Sequence, residues 1–172
     1  MNNTITSSTG KTFTLKKGIN DQEIDQLIQY AQSDETVRQF TSDASRFASR
    51  ISFDEWRKEG TVFYTLNDAE GNLAGIIWFE PLPIPEFNLQ ENAPIINSNE
   101  YQITFAIRTY GSARGKGLSS PFTQKALEDF ERKGVWLATS ADNYPAINSY
   151  KKSGFVELGM RKDGQKLIMV LQ

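Results

Sequence analysis

The sequence predicts a single-domain mixed α/β fold whose sheet is mostly antiparallel, with one parallel strand-helix-strand unit at its centre. Three observations carry that expectation. At 172 residues the chain has the length of one hydrophobic core. Its apolar residues alternate at period two in some stretches and recur at helical spacing in others. Finally, a helix-length segment opened by a glycine turn separates the strand-like run Gln102 to Thr109 from Val135 to Thr139 in the middle of the element order. Such a connection brings the two strands parallel through a right-handed crossover.

The elements follow in chain order. Lys11-Thr12-Phe13-Thr14-Leu15-Lys16 alternates as a half-buried strand. Asp21 to Ala31 repeats Ile24, Leu27, Ile28 and Ala31 at helical spacing, with Asn20 or Asp21 as N-cap and acidic residues in the first turn. Val37, Phe40, Phe47, Ile51 and Trp56 form an irregular apolar series that predicts a second helical region within 34 to 58. Thr61 to Leu66 and Leu73 to Phe79 are β-rich, and Asn67-Asp68-Ala69-Glu70-Gly71-Asn72 between them reads as a hairpin loop. Residues 81 to 99 hold four Pro and four Asn, an excursion within the domain that marks no boundary. After the strand Gln102 to Thr109 comes a glycine turn, Gly111 to Ser119, and then a helix from Ser120 to Lys133 with Pro121 in its tolerant first turn. Val135 to Thr139 reads as a short buried strand, Asn143 to Ser153 as a helix, and Phe155 to Met160 and Lys166 to Leu171 as the last two strands. Asp163-Gly164 supplies the tight turn between them.

Composition narrows the chemistry. With 38% hydrophobic and 23% charged residues the chain is globular rather than disordered. It contains no Cys and no His, which excludes Ser-His-Asp triads, cysteine or histidine nucleophiles, histidine bases and thiolate or imidazole zinc sites. Proton transfer is left to carboxylates, Tyr, Lys, termini or water. The first seventeen residues are polar, and no run has the length of a signal peptide or a membrane span. A cytoplasmic location is expected, with no membrane or nucleic-acid partner. The net charge of −2 conceals a division. Residues 1–100 hold 8 Lys+Arg against 15 Asp+Glu (−7), and residues 101–172 hold 11 against 6 (+5). A polyphosphate would suit the second half and a cationic acceptor the first, although chance segregation of surface charge explains the split equally well.

Arg114-Gly115-Lys116-Gly117-Leu118-Ser119 is a basic glycine turn opening a helix, a place where backbone N–H groups can meet a diphosphate. It is not a Walker loop: three residues separate Gly111 from Gly115, and Lys116 is followed by Gly117. A dinucleotide fingerprint matches Gly115 and Gly117 but meets Ser120 at its third glycine, far from any N-terminal strand-helix-strand unit. The turn instead resembles the Arg/Gln-x-x-Gly-x-Gly/Ala signature of the GNAT acetyltransferase superfamily, with Ser119 where Gly or Ala is usual. Asn143 to Phe155 is similar to that family's Asn-x-x-Ala-x-x-x-Tyr-x-x-x-Gly-Phe segment. The motifs span roughly residues 101 to 161, and the strand order extends the resemblance to nearly the whole chain.

The resemblance implies an acyl-CoA N-acyltransferase-like fold with acetyl-CoA (coenzyme A) as co-substrate and no metal. Backbone N–H groups of Arg114, Gly115, Lys116, Gly117, Leu118 and Ser119 would cradle the pyrophosphate. The strand end Ile107-Arg108-Thr109 would splay from Val135 to Thr139 and offer backbone groups to the pantetheine arm. Asn143 would bond that arm, or simply cap its helix. Tyr150 would point its phenol at the sulfur as general acid, or only pack its ring on the sheet. A departing thiolate of pKa about 8.5 and a phenol of about 10 make that transfer only mildly uphill. The strand after Glu100 carries no carboxylate where some relatives keep a base, so Glu80 is the candidate, with an exposed strand-end carboxylate as its bland alternative. The expected reaction is direct attack by a small-molecule or peptide amine in a ternary complex, which suits a chain with no thiol to carry the acetyl group. Two alternatives stand beside it: a non-catalytic acyl-CoA-binding or regulatory module, and a protein-modifying enzyme that docks through residues 81–99. The chain would act as a monomer or homodimer.

Overall fold

The computed structural model describes residues 3–86, 89–90, 97–131 and 133–171. Its strands are β1 (Thr4–Thr6), β2 (Thr12–Lys17), β3 (Val62–Asn67), β4 (Leu73–Pro81), β5 (Ile103–Thr109), β6 (Val135–Ser140), β7 (Phe155–Met160) and β8 (Lys166–Leu171). They form one sheet in the order β1-β2-β3-β4-β5-β6-β8-β7. Among the described strands β5 and β6 alone pair in parallel, across the expected helical crossover. Helices α1 (Asp21–Ser33), α2 (Glu35–Phe40), α3 (Asp43–Arg46) and α4 (Arg50–Trp56) lie between β2 and β3; α5 (Ser119–Phe130) joins β5 to β6, and α6 (Tyr144–Lys152) joins β6 to β7.

Alternation along the central strands feeds two cores. Phe63, Ile76 and Trp78 meet Ile24, Leu27, Val37, Phe47 and Phe53 of the α1–α4 layer. Tyr64, Ile77, Phe79 and Phe105 meet Phe122 and Phe130 of α5 and Ile147 and Tyr150 of α6. Both faces of β4 are therefore covered, which is why Leu73 to Glu80 are buried without a break. Each large side chain so placed contributes about 1.5–3 kcal/mol of transfer free energy.

The helical region expected within 34–58 consists of three short helices. Asp34 accepts from Val37 N and Ser49 from Ser52 N, so polar side chains start α2 and α4 afresh, while α3 begins at Ser42 with no side-chain cap, and the apolar series loses its period. β1 was not expected; its three residues are too few to display alternation. Helix α5 ends at Phe130, short of Lys133, because Glu131 turns left-handed at φ 54°. Gly134 follows at φ 74°, where any Cβ would collide with the Glu100 carbonyl.

The described part of the excursion after β4 covers a third core. Leu82 N donates to Gln102 O, Ile84 N to Tyr101 O and Gln90 N to Met160 O, while Trp136 Nε1 donates to Leu82 O. This seats Ile84 against Trp136, Leu158 and Ile168. Residues 87–88 and 91–96 lie outside the described residues, and with them much of the docking surface expected over 81–99. Among the described residues no helix is long and apolar enough to cross a membrane, and no group of three or more His, Cys, Asp or Glu could hold a metal ion.

Candidate active site

The sheet opens between β5 and β6. These strands pair only at Ile103↔Val135 and Thr104↔Trp136. On its other side β5 follows β4 for seven residues, and β6 follows β8 for five, so each strand is held by its outer neighbour and the two diverge. Which backbone groups face the gap follows from alternation. Ile103 N–H donates to Gly134 O on the β6 side, and Tyr110 N–H donates to Ala74 O on the β4 side. Phe105, Ile107 and Thr109 therefore direct their N–H groups into the seam. The carbonyls of Ile107 and Thr109 accept from Arg108 Nη1 at 2.8 Å and Arg114 Nη2 at 2.9 Å. Arg108 itself turns its backbone to β4, so it does not share the role open to Ile107 and Thr109.

Beyond Thr109 the chain makes the glycine turn. Arg114 N–H closes onto Tyr110 O and Lys116 N–H onto Ala113 O. Gly115 and Gly117 are both left-handed at φ 71°. The N–H groups of Gly115, Gly117, Leu118 and Ser119 have no partner among the described residues. Helix α5 also has no side-chain cap, since its N-cap is Leu118. An uncapped twelve-residue helix with free N–H groups and flanking Arg114 and Lys116 fits a diphosphate. The Arg114 side chain is engaged elsewhere, donating to Asp34 Oδ2 at 2.7 Å. Ser8 donates through its N–H and Oγ to Lys116 O, tying the β1–β2 turn to this loop.

Tyr150 projects from α6 onto the same face as α5. Its ring meets Phe105 edge-on at 6.1 Å and Phe155 at 6.0 Å, and the residue is 8% exposed. Its hydroxyl has no hydrogen-bond partner among the described residues. Burial pushes this phenol above its ordinary value, partly offset by the positive charge of Arg108, so it is a proton donor at neutral pH. Asn143 caps α6, accepting from Ala146 N at 3.4 Å; its amide NH₂ is not used by that contact.

Glu80 lies on the opposite face, in register with Thr104 where the seam begins. It is 7% exposed rather than a solvated strand end, and Lys58 Nζ stands 2.8 Å from its Oε1. Tyr150 and Glu80 thus approach the base of the seam from opposite sides, at Phe105 and Thr104. Beside Glu80 is a cluster absent from the sequence reading. Asp43, fully buried, receives Arg108 Nε at 2.6 Å and Nη2 at 2.9 Å. Burial draws the Arg108 guanidinium down, and Asp43 more than reverses this. Sixty-five residues separate the pair, and no local pattern signals it.

A split sheet beside an uncapped, glycine-rich helix start is an arrangement with room for an extended ligand that carries a diphosphate. The chain belongs to the acetyltransferase (GNAT) family, whose family model matches residues 24–155. Members of that family are acetyl-CoA-dependent acyltransferases. No curated protein sequence is similar enough to count as a relative. Among solved structures, a provisionally assigned phosphinothricin N-acetyltransferase is 22% identical over 93% of this chain and 99% of its own, with TM-score 0.63. Spermidine N-acetyltransferase from Vibrio cholerae, solved with CoA and spermine, is 16% identical over 93% and 95%, with TM-score 0.66. The GNAT domain of S. lividans PAT is 12% identical over 96% and 94%, with TM-score 0.65. At these identities the likeness is one of fold.

Proposed function

We propose that the protein is an N-acetyltransferase that moves acetyl from acetyl-CoA to an amine by direct attack in a ternary complex. One observation supports this reading above the rest: the N–H groups of Ile107 and Thr109 open into a seam that leads from the unpartnered N–H groups of Gly115, Gly117, Leu118 and Ser119 to the unpartnered phenol of Tyr150. Acetyl-CoA supplies the activated acyl group. Gly115, Gly117, Leu118 and Ser119 hold its diphosphate, Asn143 and the strand edge at Ile107 and Thr109 hold its amide-bearing arm, and one strand N–H steadies charge on the acyl oxygen. An alkylamine of pKa about 10.4 needs roughly 4–5 kcal/mol to free its lone pair at pH 7. Glu80 takes that proton, directly or through water, before the freed lone pair attacks the carbonyl carbon and the N–C bond forms. Tyr150 gives its proton to the sulfur as the C–S bond breaks, and the surplus proton on the acylated nitrogen returns the phenolate to its phenol.

The ion pair of Glu80 with Lys58 favours a second reading, a binding module that keeps the cofactor site without turnover. Thermal melts with acetyl-CoA, coenzyme A, ATP and NAD, followed by thiol release on a panel of amines, separate the two. Stabilisation by both CoA species with amine-dependent thiol release supports the enzyme. Stabilisation without release supports the binder, and stabilisation by ATP or NAD alone overturns both.

A further inference from the structure

The acceptor side of the seam carries charges that the acidic first hundred residues do not suggest. Arg46 and Arg108 share a single buried carboxylate, and Arg108 takes both of its oxygens. Arg46 is left with one contact of 3.4 Å to Asp43 Oδ1. Most of its five N–H donors therefore have no partner among the described residues. Yet this guanidinium is partly withdrawn from water. Its side chain is 31% exposed, and its Cζ lies 5.7 Å from the Trp56 ring and 6.0 Å from Trp78. Arg108 stands over the same Trp78 ring at 4.8 Å. Glu80 is on this face too, close enough to act on Arg46 electrostatically, and Lys58 already neutralises it in part.

Three cations thus face two carboxylates around the acceptor's approach. A polyamine entering here would find the aromatic rings that attract cations already taken by Arg46 and Arg108. An amine that carries its own carboxylate meets the opposite situation: Glu80 suits its ammonium, and the spare donors of a partly desolvated guanidinium suit its carboxylate. We infer that the acceptor is a free amino acid and that Arg46 selects it by binding the carboxylate. This rests on the acetyl-transfer reading above.

The test compares α-amino acids, their carboxamides and spermidine as acceptors at saturating acetyl-CoA, in wild type, Arg46→Gln and Arg46→Lys. In the wild type, kcat/KM for at least one amino acid should exceed that for its carboxamide by about tenfold or more, the scale of one charged hydrogen bond. Arg46→Gln should bring that ratio to about one through KM rather than kcat, and Arg46→Lys should recover part of it. A structural arginine would lower both members of a pair together, so a ratio that survives Arg46→Gln overturns the inference. So does wild-type indifference between acid and amide, or a preference for spermidine. Acetyl-CoA-dependent thermal stabilisation identifies the variants that fold, and the wild-type ratio decides the matter even if Arg46→Gln does not. Transfer to polyamines or uncharged amines alone removes this inference and leaves the transferase standing. Transfer to no amine removes both.

Discussion

Two polar clusters lie beneath the same helical layer and are finished to different degrees. Around Glu23 nearly every strong group has a partner. Its carboxylate accepts from Asn20 N–H, Asn67 Nδ2 and Thr65 Oγ1 and pairs with Lys16, while Asn20 caps α1 in return. Asn67 Oδ1 alone is left over. Around Asp43 the satisfaction stops halfway: Arg46 has one long contact, and the buried Tyr110 hydroxyl has no partner among the described residues. The first cluster fastens α1 to β3. The second borders the seam and keeps hydrogen-bonding capacity that folding does not consume, and unspent capacity in a protein interior is where a ligand can gain affinity.

The comparison breaks hardest at Asp43. Asp43→Ala leaves Arg108, whose side chain is 14% exposed, as an uncompensated cation beside Arg46. Removing one partner of a buried pair costs about 3–5 kcal/mol, so chemical denaturation should show a loss of that size. Adding Arg108→Met should restore much of it, because the pair replaced as a whole is close to neutral. A single variant within about 1 kcal/mol of wild type would mean that water reaches Arg108 and that the cluster is not a buried one.

Tyr150→Phe tests the seam on its chemical side. The substitution keeps the ring against Phe105 and Phe155 and removes a hydroxyl with no described partner, so melting and acetyl-CoA binding should barely move. Turnover should fall about 10²–10⁴-fold, some 3–5 kcal/mol of barrier. The raised phenol also sets a direction with pH: it stays protonated through the neutral range, and its contribution is lost only as pH climbs past its ordinary value of 10.0. Activity within about twofold of wild type would assign Tyr150 to packing.

Glu23→Gln probes the finished cluster, and its effect should be on stability alone, about 2 kcal/mol at neutral pH. Burial raises the Glu23 carboxyl, but Lys16, Asn20 and Asn67 together hold it below its ordinary 4.5. A depressed carboxyl stabilises the fold above its unfolded value, so the gap between wild type and variant should close as pH falls below about 4.5. A gap that is independent of pH would show that shape rather than charge carries the cluster.

These clusters also mark where sequence reading reaches and where it ends. The start of α1 was legible to within one residue, Asn20 or Asp21, because caps are local; the structure puts the cap at Asn20, in a capping box with Glu23. The parallel crossover was legible from the helix between two strand-like runs, and the turn after Thr109 from its glycines. The Asp43–Arg108 pair depends on how α3 settles on β5, which no window of sequence contains. The charge division between the halves pointed to a cationic acceptor, yet Asp43 and Glu80 are both engaged by cations at the seam. A sum over a hundred residues cannot see which charges are paired.

The smallest expected effect is the most selective, because it sets two glycines of nearly equal conformation against each other. Gly117 sits in the phosphate turn at φ 71°, and Gly164 sits in the β7–β8 turn at φ 69°. A Cβ meets nothing within 4 Å at Gly164, and only Ser8 at 3.9 Å at Gly117. Neither alanine clashes, so both variants carry the same left-handed penalty of about 1 kcal/mol and should lose similar stability. They part company with ligand. Relaxing the strain at 117 turns the N–H groups of Gly117 and Leu118 out of line with each other, whereas relaxing it at 164 disturbs only a surface hairpin. Gly117→Ala should weaken acetyl-CoA about tenfold by calorimetry, and Gly164→Ala should bind as wild type does. Equal affinity in the two variants would mean that the diphosphate is held by Arg114 and Lys116 as charges rather than by the backbone of the turn.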